Sequence, residues 1–179
     1  MSTEHSLCQA PTPSFEVIEP PSQKTPLVFA SPHSGSVYPK DFVARSHLDM
    51  KTLRKSEDCF IDDLFSAAPE LGAPLLRALC PRAFLDVNRE PYELDPAMFD
   101  SPLPRHVNTT SPRVAAGLGT IARIVATHHE IYKNKLSFSE AEQRIKDVYR
   151  PYHSALRNLV DRTAGQFGFC LLIDCHSMP

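Results

Sequence analysis

At 179 residues, with 42% apolar and 22% charged side chains, the chain is long enough for one domain with a sizeable core and too short for two comfortable ones. A formal net charge of −2 gives no electrostatic footprint for nucleic acid or an anionic membrane, and no apolar run approaches the roughly 20 residues of a membrane span. Five cysteines (Cys8, Cys59, Cys80, Cys170, Cys175) form an odd set without a CxxC pair, which argues against a disulfide framework or an all-cysteine zinc site. Buried, inert thiols in a reducing cytoplasm are the expectation.

In chain order, residues 1–24 read as a flexible lead-in bearing Pro and Ser, without the basic region or apolar core of a signal peptide. Residues 25–179 read as a single domain. Seventeen prolines stand against six glycines and cluster in 11–39 and 91–112, so those stretches are expected to be extended or looping chain. PLVFAS (26–31) reads as a buried strand that stops abruptly at Pro32-His33-Ser34-Gly35. The spacing of Leu53, Phe60, Ile61, Leu64, Phe65 and Ala68 predicts a helix over 50–68. Short strands are expected at 74–79 and 82–88. Gly117-Leu-Gly119 reads as a turn and His128-His129 as solvated helix or loop. The stripe Ala141, Ile145, Val148, Tyr149, Tyr152, Leu156, Leu159 keeps its phase across Pro151. Residues 139–165 are therefore expected as one kinked helix or two collinear ones, opened by a Ser139/Glu142 capping box and closed by Gly165. GFCLLID (168–174) is a fourth strand and, like the first, runs out onto a histidine, His176.

Strands interleaved with helices suggest an α/β sandwich with a central sheet, and in such folds ligands collect outside the carboxyl ends of strands. His33 and His176 both sit at that address. Zinc takes imidazole and carboxylate, and a hydrolytic site uses three protein ligands. On the predicted 50–68 helix, Glu57 falls in the middle of the apolar stripe, Asp58 at its edge and Asp62 opposite. A carboxylate on a core face is costly without a cation to meet it. Glu57 is thus the expected third ligand, with Asp58 as its substitute. Plainer roles fit the same residues: Ser56 as an N-cap with Glu57 and Asp58 in the first turn, and His33 as a loop residue. Strand alternation puts Asp174 and His176 on one face, so the acid is expected to steady its neighbour. FLDVNRE (84–90) ends at the same rim with Asn88 and Arg89, suited either to a substrate carboxylate or to pairing with Glu90 or Glu93; Arg82 and Arg113 are further candidates of that kind.

Taken together and in order, SPHSG, SEDCFIDDLF, RAFLDVNRE, GLGTIARIV…IY, YRPYHSAL and LLIDCHSMP resemble the N-formylglutamate amidohydrolase family over about residues 26–179. That resemblance implies a relation to zinc carboxypeptidases and a three-layer α/β/α sandwich around a mixed sheet. It implies hydrolysis of N-formyl-L-glutamate, an N-acyl amino acid, to formate and L-glutamate, late in one route of histidine breakdown. It further implies one Zn2+ held by His33, Glu57 and His176, with Asp58 and Asp174 behind the ligands. Asn88 and Arg89, helped by Arg113, would hold the glutamate. Carboxypeptidases keep a ligating Glu three residues after the first His, where this chain has Ser36. Family members continue past the DCHS motif, so the general-base Glu is expected beyond Pro179, and the chain is expected to be C-terminally incomplete and weakly active or inactive alone. Two alternatives stand beside this reading: a zinc hydrolase of the same fold with another N-acyl amino acid or peptide as substrate, and a non-catalytic fragment that binds metal or a small acid.

Overall fold

The computed structural model describes Ala10 and residues 13–125 and 129–177. Its centre is a four-stranded mixed sheet of β1 (Phe15–Ile18), β2 (Leu27–Ser31), β3 (Leu75–Ala78) and β6 (Leu171–Asp174), in the order β1-β3-β2-β6. Strand β2 pairs in parallel with β3 on one side and β6 on the other, while β1 runs antiparallel to β3. Three strands therefore deliver their carboxyl ends to one edge of the sheet. The expected strands at 26–31, 74–79 and 168–174 are all present. Strand β1 lies inside the segment expected as a flexible lead-in, where its backbone is held in register from Phe15↔Ala78 to Ile18↔Leu75.

Helical segments cover both faces. Val28 and Leu76 join Tyr152 and Leu159 of α6 (Arg150–Phe167) in the main core. Phe29, pointing the other way by strand alternation, packs on Phe65 at the end of α3 (Ile61–Leu64) with ring centres 5.6 Å apart. This is the α/β sandwich around a mixed sheet that the motifs implied. A second cluster (Leu94, Met98, Phe99, Ile121, Leu136) organises the Pro-rich loops and includes Ala141 of α5 (Phe138–Arg144). Among the described residues no helix is long and apolar enough to cross a membrane.

The long C-terminal helix runs as α5, a π-turn at Ile145–Tyr149 and then α6. Pro151 lacks an N–H, which strips the Asp147 carbonyl of its helical donor; the Ser14 hydroxyl donates to that oxygen instead, at 3.5 Å. The cap lies two residues before the expected one, with Ser137 accepting from the Glu140 N–H. The stop is Gly168, at φ 83°, rather than Gly165.

Two expectations fail for tertiary reasons. Residues 82–88 form consecutive turns rather than a strand: the Phe84 and Leu85 N–H groups both donate to the Pro81 carbonyl. The stretch is apolar because the turns are buried, with Phe84, Leu85 and Val87 in the core. The expected 50–68 helix is broken into α2 (Met50–Leu53), a 3-10 turn at Arg54–Ser56 and α3. Asp58 N–H leaves the helical path to donate to the His33 carbonyl at 3.0 Å, and Phe60 takes a left-handed φ of 64°. Ser56 caps nothing; its hydroxyl donates to the Leu53 carbonyl. The remaining elements are α1 (Lys40–Ala44), a 3-10 turn at Pro96–Met98, α4 (Pro112–Ala115) and the pair β4 (Ile124–Val125) and β5 (His129–Glu130). His129 thus lies in a short strand, while His128 falls outside the described residues. Of the cysteines, Cys80 and Cys175 are buried as expected, Cys59 is exposed, Cys170 is half-buried, and Cys8 falls outside the described residues.

Candidate metal centre

The abrupt end of β2 has a steric cause. A Cβ on Gly35 would run into the carbonyl of Cys80, so the chain after His33 lies against the 79–80 backbone, fastened by Val37 N–H to the Leu79 carbonyl at 2.9 Å. His33 is thereby held just past the end of β2. His176 sits just past the end of β6, and Cys175 N–H extends the ladder to the Ala30 carbonyl at 2.8 Å. Because β2 and β6 are parallel neighbours, the two imidazoles meet with ring centres 4.8 Å apart.

The acid that joins them is Asp58. One ligand atom from each of His33, Asp58 and His176 lies within 4.8 Å of the others. Asp58 Oδ2 is 2.9 Å from His176 Nδ1 and 3.4 Å from His33 Nδ1, and its Oδ1 accepts from the Ser177 hydroxyl at 3.1 Å. Burial works against the Asp58 carboxylate, but the His176 hydrogen bond, the His33 charge and the Ser177 hydroxyl outweigh it and hold its pKa below the usual range. Glu57, the expected ligand, stands outside this group. Its carboxylate is drawn to Arg54 Nε at 3.1 Å and accepts from the Cys59 thiol. The apolar stripe that favoured Glu57 assumed an unbroken helix, and the break at 57–60 exchanges the two neighbouring acids.

Behind His33 stands a residue the sequence reading passed over. Asp86, only 2% exposed, accepts from His33 Nε2 at 2.8 Å, from Arg82 Nη2 at 2.7 Å and from the Asn88 N–H at 2.9 Å. Burial raises its pKa, yet the His33 hydrogen bond and the charges of His33, Arg82 and Arg89 carry it well below the ordinary carboxylate range. An acid inside the apolar run FLDV was the available signal, since a buried carboxylate needs a cation or several donors. Asp86 follows β3, the third strand that opens on this edge.

Asp174 and Asn88 flank His176. Asp174 Oδ2 lies 2.9 Å from His176 Nε2, and Asn88 Nδ2 donates to Asp174 Oδ2 at 3.0 Å while lying 3.1 Å from the same ring nitrogen. Burial lowers the His176 pKa, but hydrogen bonds with Asp174 and Asp58 reverse this and raise it above 6.5. Arg89 spends Nε on the Leu118 carbonyl and Nη1 on that of Asn88, at 3.8 Å from Asp86. Arg113 is turned to Glu93 at 3.9 Å and does not line the cavity beside the centre. The turn carrying Asp86 is anchored by Arg144, 1% exposed, whose Nη1 donates to the Phe84 carbonyl at 3.0 Å and which is paired with Glu140.

His33 supplies a test of whether this cluster fits a metal. With Asp86 as acceptor, Nε2 carries one ring proton, so Nδ1 either presents a lone pair or takes the second proton that gives the ring its charge. That atom is buried, has no hydrogen-bond partner, and faces the acceptor oxygen of Asp58. Two acceptors aimed at one point are stable only with a cation between them or an extra proton on the ring. Two imidazoles and a carboxylate, with a carboxylate behind one ring, form a donor set suited to zinc.

A family description for N-formylglutamate amidohydrolase matches residues 25–179. The chain is 27% identical over 157 residues to an N-formylglutamate deformylase of Pseudomonas putida, covering 87% of this chain and 52% of that protein. It is 28% identical over 166 residues to an N-formylglutamate deformylase of Pseudomonas aeruginosa, covering 91% and 56%. The crystal structure of N-formylglutamate amidohydrolase from Ralstonia eutropha JMP134 matches with a TM-score of 0.85 at 37% identity, over 93% of this chain and 58% of that one. A gene product of Agrobacterium tumefaciens, 16% identical with a TM-score of 0.65, shares the fold over 92% of this chain and 56% of its own. The chain thus spans between 52% and 58% of the length of these relatives. By this match across nearly all of its described length, the chain belongs to the N-formylglutamate amidohydrolase family.

Proposed function

We propose that the cluster is the zinc centre of an amidohydrolase that cleaves N-formyl-L-glutamate to formate and L-glutamate, with His33, Asp58 and His176 as ligands. The observation that carries this reading is the buried, partnerless Nδ1 of His33 facing Asp58 beside a second imidazole. The family and the names of its relatives supply the substrate class. When bound, the ion supplies Lewis acidity, polarising an amide carbonyl and acidifying water.

The residues around the centre have separate tasks. Asp86 fixes the tautomer and orientation of His33, and Arg82 keeps Asp86 ionised. Asn88 and Asp174 set the plane of the His176 ring. Arg82, which lines the cavity, supplies the positive potential that a carboxylate next to the scissile amide needs, and Arg89, outside the lining but 3.8 Å from Asp86, adds to it. Glu57 lines the same cavity but is held by Arg54, so it is given no proton-transfer role here.

The test is metal content and formate release on the purified chain and on His33→Ala, Asp58→Ala, Glu57→Ala and His176→Ala. About one zinc per chain is expected for the parent and Glu57→Ala, with loss in the other three variants. Zinc retained in Asp58→Ala and lost in Glu57→Ala would reverse the assignment of the acid. Zinc absent from the folded parent would end the metalloenzyme reading.

A further inference from the structure

The cavity that opens beside the candidate centre has a volume of about 630 Å³. Its charged wall consists of Lys55, Glu57, Asp58, Arg82 and Asp86. Four of these five are committed within the protein. Glu57 is held by Arg54, Asp86 by His33 and Arg82, and Asp58 by the imidazoles. Lys55 lines the cavity without a hydrogen bond or ion pair among the described residues. The lining also includes the apolar residues Leu118, Ile124 and Val125. The cavity therefore offers a polar centre, an apolar surface and one solvent-exposed cation, Lys55, whose charge acts on the Asp49 carboxylate but which makes no hydrogen bond or ion pair among the described residues.

We propose that Lys55 binds the side-chain carboxylate of an acidic N-acyl amino acid and so selects acidic over neutral substrates at this site, an inference that rests on the proposed amidohydrolase function. The α-carboxylate of such a ligand is one carbon removed from the amide nitrogen and has to remain beside the centre, where Arg82 and Arg89 are. The side-chain carboxylate of a glutamyl derivative lies two methylene groups farther out. Those methylenes suit the Leu118 and Ile124 surface, and their far end needs a cation that the protein has not already neutralised. An ammonium on a flexible four-carbon stem meets that need without the bidentate geometry of an arginine. Arg54 does not line the cavity, and its Nε is bound to both oxygens of Glu57.

Calorimetric titration of the zinc-loaded chain with N-formyl-L-glutamate and N-formyl-L-glutamine tests this. The parent is expected to prefer the glutamate derivative by about threefold, the equivalent of one solvent-exposed charge pair. Lys55→Met should erase that preference while keeping zinc content and affinity for the glutamine derivative, and Lys55→Arg should restore most of it. A preference that survives in Lys55→Met, or an equal loss for both ligands, overturns the assignment and leaves the zinc centre untouched. Failure of the zinc-loaded parent to bind either ligand also overturns it. Failure of the parent to take up zinc at all removes the underlying function, and this inference with it.

Discussion

Asp86→Asn separates the residue that positions His33 from the residues proposed to hold zinc. Three donors converge on the Asp86 carboxylate, from His33 at 2.8 Å, Arg82 at 2.7 Å and the Asn88 backbone at 2.9 Å. Asparagine keeps the outline but turns one oxygen into an NH2 group, which then faces the donor of either His33 or Arg82. Breaking a buried charge pair costs about 3–5 kcal/mol. Arg82 is partly exposed and regains some hydration, so a loss near the lower end, about 3 kcal/mol, is expected for the metal-free chain. Without its anchor the His33 ring loses both a defined tautomer and a fixed plane. Outer partners of metal-bound histidine contribute about 10–100-fold in affinity, or about 1.4–2.8 kcal/mol. Urea denaturation in the presence of chelator reads the first quantity, and zinc titration against a competing chelator reads the second. A variant destabilised by this amount that still binds zinc as tightly as the parent would refute the positioning role of Asp86.

The backbone around His33 and the charge on His176 are open to independent tests. Gly35→Ala forces a Cβ into the Cys80 carbonyl, a backbone atom that cannot swing aside, and is expected to cost about 1–3 kcal/mol with a loss of zinc affinity; an unchanged denaturation midpoint would mean the two segments separate easily. For His176, folding raises the pKa above 6.5, so its contribution to the metal-free chain is fully present below the unfolded pKa and is lost as pH rises through the folded value. In the proposed centre, zinc would compete with that same proton. Its affinity should fall on acidification while the stability of the metal-free chain, in respect of His176, moves the other way. Parallel pH dependences for the two, measured by thermal unfolding with and without zinc, would contradict the assignment of His176 as ligand.

Much of the scaffold was legible because its signals are local. Apolar runs of strand length, such as LVFAS and FCLLID, need only near neighbours to be recognised, and the stripe from Ala141 to Leu159 carries its own period across Pro151. Two elements were misread where a distant partner overrides a local preference. Residues 82–88 have strand-like composition, yet they turn because the Pro81 carbonyl and the core claim them. Residues 57–60 have a helical stripe, yet they unwind because Asp58 N–H is captured by the His33 carbonyl. The second misreading reached the site, since the break brings Asp58 rather than Glu57 beside the two imidazoles. Asp86 was readable in principle as a lone acid in an apolar stretch, but its partner, His33, is far away in the chain.

By itself, the order of side chains determined that two histidines would stand at the ends of apolar strands, with carboxylates and arginines in the connecting segments. It did so because side-chain alternation and strand termination are matters of neighbouring residues. Only the tertiary structure decided that β2 and β6 lie side by side and in parallel, and hence that the two imidazoles face one point. It decided likewise which of two adjacent acids joins them, because that choice depends on one backbone hydrogen bond, from Asp58 to His33, between segments far apart in the chain.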